Sequence, residues 1–215
     1  VDYKDWYNVA LTDPFRQPRA WKLDTSLAQL YEIPDFLTKD QCYFVMDSID
    51  QLLVPSEVTF GDSSYRTSRT CHFPDVNPEL TKILDDYFSY ALGVSPDYAE
   101  PIQGQRYDPG QYFKSHNDWF DPNGPEYLEN CRVGGQRTWT IMVYLNAVEK
   151  GGQTDFPLLG KCFTPVQGTA IAWNNLYMDG TPNPDVLHEA LPVVQGNKYI
   201  ITKWYREKPG RCIDG

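Results

Sequence analysis

Residues 137–148 read "RTWTIMVYLNAV". β-Branched and aromatic side chains dominate this run, a composition that suits a pleated, half-buried surface. It is the clearest strand signal in the chain, and its surroundings have the same texture. Upstream, "QGQRYDPGQYFKSHND" (103–118) gives two strand-like runs around Asp108-Pro109-Gly110. Downstream, "GGQTDFP" (151–157) reads as a turn and short strand, and "GTAIAWNNL" (168–176) and "VLHEALPVV" (186–194) as two more. "QGNK" (195–198) then makes a tight turn into "KYIITKWYRE" (198–207).

Ahead of these strands the period changes. In "IPDFLTKDQCYFVMDSIDQLL" (33–53), Cys42, Val45, Met46, Ile49, Leu52 and Leu53 recur at helical spacing. Thr38, with Asp40 just after it, reads as the N-cap. "NPELTKILDDYFSYALGV" (77–94) predicts a second helix, with Asn77 as cap, Pro78 first and Gly93 as the stop. "GDSSYRTSR" (61–69) is a polar loop. Residues 1–33 show no clear period and predict an arm packed on the surface of a domain spanning 34–215. Helices followed by many short strands predict a mainly β fold, an antiparallel sandwich or barrel backed by helices.

Composition narrows the function. Lys and Arg number 19 against 29 Asp and Glu, a net charge of −10 that repels phosphate backbones, so nucleic acid is not the expected partner. No apolar run approaches a membrane span. Cys42, Cys71, Cys131, Cys162 and Cys212 are scattered, odd in number and free of C-x-x-C spacing. They read as free thiols in a reducing, cytoplasmic setting. Oligomeric state has no signal in the sequence.

The chain has three histidines, and one lies in "YFKSHNDWF" (112–120). Residues two apart in a strand share a face, so His116 and Asp118 would present an imidazole and a carboxylate together. One further imidazole completes two histidines and one carboxylate, the set that suits a non-haem Fe(II) oxygenase with open positions. His188 is the expected third ligand, and His72, just before a helix, reads as structural. Ten residues after His188 comes Lys198, sharing parity with Ile200, Thr202 and Trp204. The turn at 195–197 is expected to fold its strand back beside that of His188. A cation inside an apolar barrel is costly unless paired. A dicarboxylate that chelates the metal at one end and reaches Lys198 at the other would resolve that cost.

With "YRTSRTCHF", "AEPIQGQRYDPGQYFKSHNDWF", "QRTWTIMVYLN", "GGQTDFP", "GTAIAWNNL" and "LHEALPVVQGNKYIITKWYRE", the chain resembles the 2-oxoglutarate/Fe(II) dioxygenases, and among them the prolyl 4-hydroxylase family. The match runs over about residues 34–207 in the family's order. The resemblance implies a double-stranded β-helix (jelly-roll) core. It implies His116, Asp118 and His188 as iron ligands and Lys198 as the partner of the distal carboxylate of 2-oxoglutarate. It also places Tyr107, Thr154, Tyr144 and Trp204 around that cosubstrate, and Arg66, Ser68 and Arg137 near a peptide groove.

The activity so implied is hydroxylation of a prolyl residue in a peptide or protein. It is coupled to O2 consumption and to oxidative decarboxylation of 2-oxoglutarate to succinate and CO2, with ascorbate as helper. The loops 61–69 and 121–136 are the expected lids. Two departures bear on substrate choice: Phe113 stands where the family has tyrosine, and "DPNGPEYLENCRVGGQ" (121–136) is long and loop-like. Hydroxylation of lysyl residues or free amino acids and a non-catalytic β-sandwich module are the alternatives. A halogenase would need a small residue in place of Asp118.

Overall fold

A computed structural model describes residues 19–51, 53–56, 65–76 and 78–210. The stretch at 137–148 folds largely as expected. Strand β7 (Arg137–Tyr144) lies inside the larger sheet, between β11 (Ala170–Asn174) and β14 (Lys198–Arg206). Beyond β11 come β2 (Leu30–Ile33) and β1 (Trp21–Lys22). Beyond β14 come β5 (Gln103–Tyr107), β4 (Arg69–His72) and β3 (Val54–Pro55). All of these pairings are antiparallel. A smaller antiparallel sheet runs β10 (Lys161–Phe163), β9 (Thr154–Phe156), β12 (His188–Ala190) and β6 (Phe113–His116). β13 (Val193–Gln195) pairs with β8 (Lys150–Gly151).

Strand parity divides the core in two. Ile141 and Val143 of β7 face a cluster with Ile201 and Tyr205 of β14, covered by two helices. Met142 and Tyr144, one residue out of phase, face a second cluster with Ile171, Trp173 and Ile200. There Phe156, Phe163 and Val193 come in from the smaller sheets. The larger sheet is therefore buried on both faces, by helices on one side and by a second sheet on the other. This is the double-stranded β-helix, mainly β with flanking helices, that the resemblance implies.

Helix α1 (Lys39–Asp50) starts where its cap lies. Thr38 Oγ1 accepts from Gln41 N–H, and Gln41 Oε1 accepts from Thr38 N–H, a reciprocal capping box. Its Val45 and Ile49 are fully buried against the sheet. Gly104 of β5 permits this approach, since a Cβ there would meet Ile49 Cγ1 at 2.6 Å. A short helix α2 (Phe73–Val76) precedes α3 (Pro78–Leu92), whose Leu80, Leu84 and Phe88 fill the same cluster. Truncating Leu84 to Ala would cost about 2–5 kcal/mol. Asn77, the expected cap of α3, and Cys212 lie outside the described residues. Cys42, Cys71, Cys131 and Cys162 are free. Among the described residues no helix is long and apolar enough to cross a membrane.

Three features differ from the sequence reading. Residues 30–33 do not lie on the surface: β2 pairs with both β1 and β11, and Leu30 and Ile33 are buried. The stretch 121–136 contains a six-residue helix, α4 (Glu126–Cys131). The strands of His188 and Lys198 are not neighbours. β12 pairs with β6 and β9, whereas β14 pairs with β5 and β7 in the other sheet. Gly196, with φ of 81°, sits in the crossing between sheets rather than in a hairpin joining those two strands. His188 and Lys198 consequently approach the core from opposite layers.

Candidate active site

β6 and β12 place His116 and His188 as direct cross-strand partners, with ring centroids 4.3 Å apart. Each ring is oriented by its own backbone. His116 Nδ1 is 2.8 Å from the Lys114 carbonyl, and His188 Nδ1 is 3.0 Å from that of Val186. A carbonyl can only accept, so Nδ1 carries the proton and Nε2 presents its lone pair. Both Nε2 atoms point at Asp118 Oδ1, at 3.8 Å and 3.9 Å.

Asp118 is brought there by a route the parity argument did not foresee. β6 ends at His116, and Asp118 lies in the bend that follows. Its other oxygen is held from the larger sheet: Thr140 Oγ1 donates to Asp118 Oδ2 at 2.7 Å, and Asn175 Nδ2 donates to Thr140 Oγ1 at 2.8 Å. Phe156 stacks on the His188 ring and Trp173 meets it edge-on, closing the site from behind.

The three ligand atoms lie within 4.8 Å of one another. Burial drives the His116 imidazole well below its ordinary pKa, and His188 pushes the same way, so it stays neutral and free to bind metal. Burial alone would raise the Asp118 carboxyl, but the two imidazoles and Arg137 hold it below its ordinary value. Two imidazoles and one carboxylate could hold a divalent ion and leave other positions open, which fits Fe(II). His72 is exposed on β4 and is not part of this cluster.

Lys198 is fully buried. Its Nζ donates to Thr154 Oγ1 at 3.3 Å and lies 5.3 Å and 5.5 Å from the Tyr107 and Tyr144 ring centres. Among the described residues it makes no ion pair. Burial accordingly lowers its pKa to about 7. An anion of outside origin would satisfy it, so the residues fit a dicarboxylate cosubstrate. Lys198, Thr154, Tyr107 and Trp204 line one narrow cavity with the three metal-ligand candidates. Tyr144 borders Lys198 and reaches the Phe163 carbonyl through its hydroxyl at 3.5 Å.

Arg66 lines both this cavity and a groove of about 500 Å³ outside it. It donates to Ser68 Oγ and Thr70 Oγ1 and lies over the Phe113 ring at 4.9 Å, while Phe113 stacks on His116 at 3.7 Å. Ser68 is buried and thus acts on Arg66 rather than on the groove. Arg137 lines the groove but is bound bidentately to Glu100, both contacts at 2.7 Å, and packs over Trp204 at 4.3 Å. Of the expected lids, Tyr65 and Arg66 from the first and Asp121 and Glu126 from the second line this groove; residues 61–64 lie outside the described residues. A larger cleft of about 770 Å³, between α3 and the end of β14, holds none of the metal-ligand candidates. Thr140, Asn175 and Glu100 escaped the sequence reading, although Thr140 shares parity with Tyr144 on β7.

Comparison with known proteins agrees with this geometry. Residues 102–206, which carry all three ligand candidates and Lys198, match the model of the 2OG-Fe(II) oxygenase superfamily. A putative prolyl 4-hydroxylase of Acanthamoeba polyphaga mimivirus is 29% identical over 211 residues, covering 97% of this chain and 82% of the relative. Prolyl 4-hydroxylase 13 of Arabidopsis thaliana is 30% identical over 201 residues, covering 84% and 72%. Among solved structures, the 2OG complex of the viral collagen prolyl hydroxylase from Paramecium Bursaria Chlorella virus-1 superposes with a TM-score of 0.64. It is 29% identical and the match covers 82% of this chain and 95% of that one.

Proposed function

The chain belongs to the prolyl 4-hydroxylase family of 2-oxoglutarate- and Fe(II)-dependent oxygenases, and on that premise we propose that it hydroxylates a prolyl residue of a peptide or protein at C4. The reaction is coupled to oxidative decarboxylation of 2-oxoglutarate to succinate and CO2. The observation that carries this reading is the shared cavity of the His116–Asp118–His188 cluster and the buried, carboxylate-free Lys198, beside a groove of about 500 Å³.

Fe(II) with 2-oxoglutarate and O2 supplies the oxidising power needed for an unactivated C–H bond. His116, Asp118 and His188 would hold the metal through Nε2, Oδ1 and Nε2. Thr140 keeps the second Asp118 oxygen occupied, so Oδ1 is the oxygen that would be offered to the metal. Lys198 and Thr154 receive the distal carboxylate, and the Tyr107 and Tyr144 rings flank the ammonium. Met142, Trp173 and Ile200 line the cavity with apolar surface and exclude water. Arg66 and Trp204 stand between cavity and groove, where an acceptor residue would enter. Arg137, tied to Glu100, holds the Trp204 ring rather than offering a free charge. Ascorbate would serve as an external reductant.

The test is succinate release with Fe(II), ascorbate and 2-oxoglutarate, with and without proline-rich peptides. Fragmentation of the product peptide should place one added oxygen on proline. Oxygen on lysine or only on free proline would redirect the acceptor, and no turnover with any acceptor would point to a non-catalytic module.

A further inference from the structure

The groove beside the metal cluster has an unusual polar inventory. Gln103, Asn117 and Trp204 are among its lining residues, and their Oε1, Oδ1 and Nε1 atoms are buried without a partner. Trp204 as a whole is only 7% exposed. Buried polar atoms are nearly always paired, and an unpaired one at a groove wall is satisfied when a ligand arrives. One N–H donor and two amide oxygens match a peptide main chain, which presents both acceptors and donors.

The outer wall of the same groove is acidic. Asp121 is exposed and Glu126, the first residue of α4, is half-buried; both line the groove. Among the described residues neither carboxylate has an ion-pair partner. The cations facing the groove lie deeper. Arg137 is neutralised by Glu100, and Arg66 sits over Phe113 at the cavity entrance. The deeper charges, Arg66 and Asp118 with the Glu100-bound Arg137, thus offset one another, while Asp121 and Glu126 leave the more exposed side acidic, and Trp119 and Phe120 add aromatic surface to the lining. A long basic side chain lays its apolar stem along such a surface and its charge at the rim.

We infer that this groove selects acceptor segments that carry a Lys or Arg within a few residues of the hydroxylated proline. Asp121 and Glu126 receive the basic side chain, while Gln103, Asn117 and Trp204 hold the segment's main chain. The inference rests on the prolyl hydroxylase reading and names the substrate class of that same site.

The experiment walks a single Lys through positions on both sides of one proline in a synthetic peptide, with Ala and Glu peptides as references. Binding is read by fluorescence anisotropy on protein loaded with Mn(II) and 2-oxoglutarate without O2, and hydroxylation by mass spectrometry. At its best position Lys should tighten binding about three- to tenfold over Ala at low salt, an advantage that shrinks as salt is raised. In Asp121→Asn/Glu126→Gln the Lys and Ala peptides should bind alike. Asn at 121 keeps a side-chain oxygen for the Asn123 N–H, so the local turn is retained. Glu126→Lys should reverse the preference toward Glu peptides. Hydroxylation of the Ala peptide with no Lys advantage at any position would overturn this inference and leave the prolyl hydroxylase reading standing. A Lys advantage that survives in the double variant would overturn the assignment to these two carboxylates. Failure of every proline peptide to be hydroxylated would remove the reading and the inference together.

Discussion

Thr140 Oγ1 on the larger sheet donates to Asp118 Oδ2 beside the smaller one, at 2.7 Å, and it in turn accepts from Asn175 Nδ2. This chain ties the carboxylate of the ligand cluster to a strand inside the larger sheet. Asp118 itself sits in a bend, so no strand fixes its direction. Removing the hydroxyl alone, as Thr140→Val, should therefore weaken Mn(II) binding about ten- to a hundredfold while leaving the fold in place. Electron paramagnetic titration of free Mn(II) with circular dichroism in parallel measures both. Unchanged affinity would mean that the bend holds Asp118 unaided.

Lys198→Met separates the cosubstrate from the metal. Losing one partner of a buried ion pair costs about 3–5 kcal/mol, or roughly two to four decades in 2-oxoglutarate affinity. Mn(II) binding should persist, because Lys198 bonds to Thr154 and to none of the metal-ligand candidates. In the empty protein the same change removes an unpaired buried amine, so its melting temperature should rise. Calorimetric titration and thermal melts report the two effects separately. A 2-oxoglutarate affinity equal to that of the parent would move the distal carboxylate to another cation, such as Arg66, which lines the same cavity.

The pH dependence follows from the same residue. Burial lowers the Lys198 pKa from 10.5 to about 7 in the empty fold. Between those values the unfolded chain holds a proton that the folded one has released, so the stability contribution of Lys198 rises with pH from about 7 to 10.5. Binding of a carboxylate needs the ammonium and runs the other way. Affinity for 2-oxoglutarate should be level below pH 7 and fall about tenfold per pH unit above it, with proton uptake on binding. Calorimetry in buffers of different ionisation enthalpy counts that proton. No uptake near pH 8 would show that Lys198 is already charged in the empty site.

Two ion pairs give a contrast in stability. Glu100 and Arg137 are bound bidentately and largely buried, whereas Arg69 and Asp108 are about one-third exposed. Glu100→Gln should cost about 3–5 kcal/mol by stranding Arg137, against roughly 0–2 kcal/mol for Asp108→Asn, which loses two partly exposed pairs, to Arg69 and Arg106. Urea denaturation of the two variants measures the difference, and equal losses would contradict the burial argument.

How much of this was legible in the sequence depended on range. Lys198, Ile200, Thr202 and Trp204 do share a face and line the cavity, because strand parity is a local property. Thr38 capped its helix for the same reason. The sheet assignment of β12 and β14 was not local: the Gly196 turn looked like a hairpin, yet the chain crosses there from one layer to the other. Asp118 reaches the cluster through a bend, so strand parity is not what brings it beside His116 and His188. Four residues of β2 and six of α4 are too short for a period to show. The unpaired atoms of Gln103, Asn117 and Trp204 are visible only once the sheets have closed around them.

The most direct measurement is isotopic. The enzyme, loaded with Fe(II) and 2-oxoglutarate, is given a proline-rich peptide under labelled O2, and both products are examined by mass spectrometry. The account expects one labelled oxygen at C4 of a prolyl residue and one in succinate, and neither from His188→Ala. Label on a residue other than proline, succinate formed without label, or full turnover in His188→Ala would contradict it.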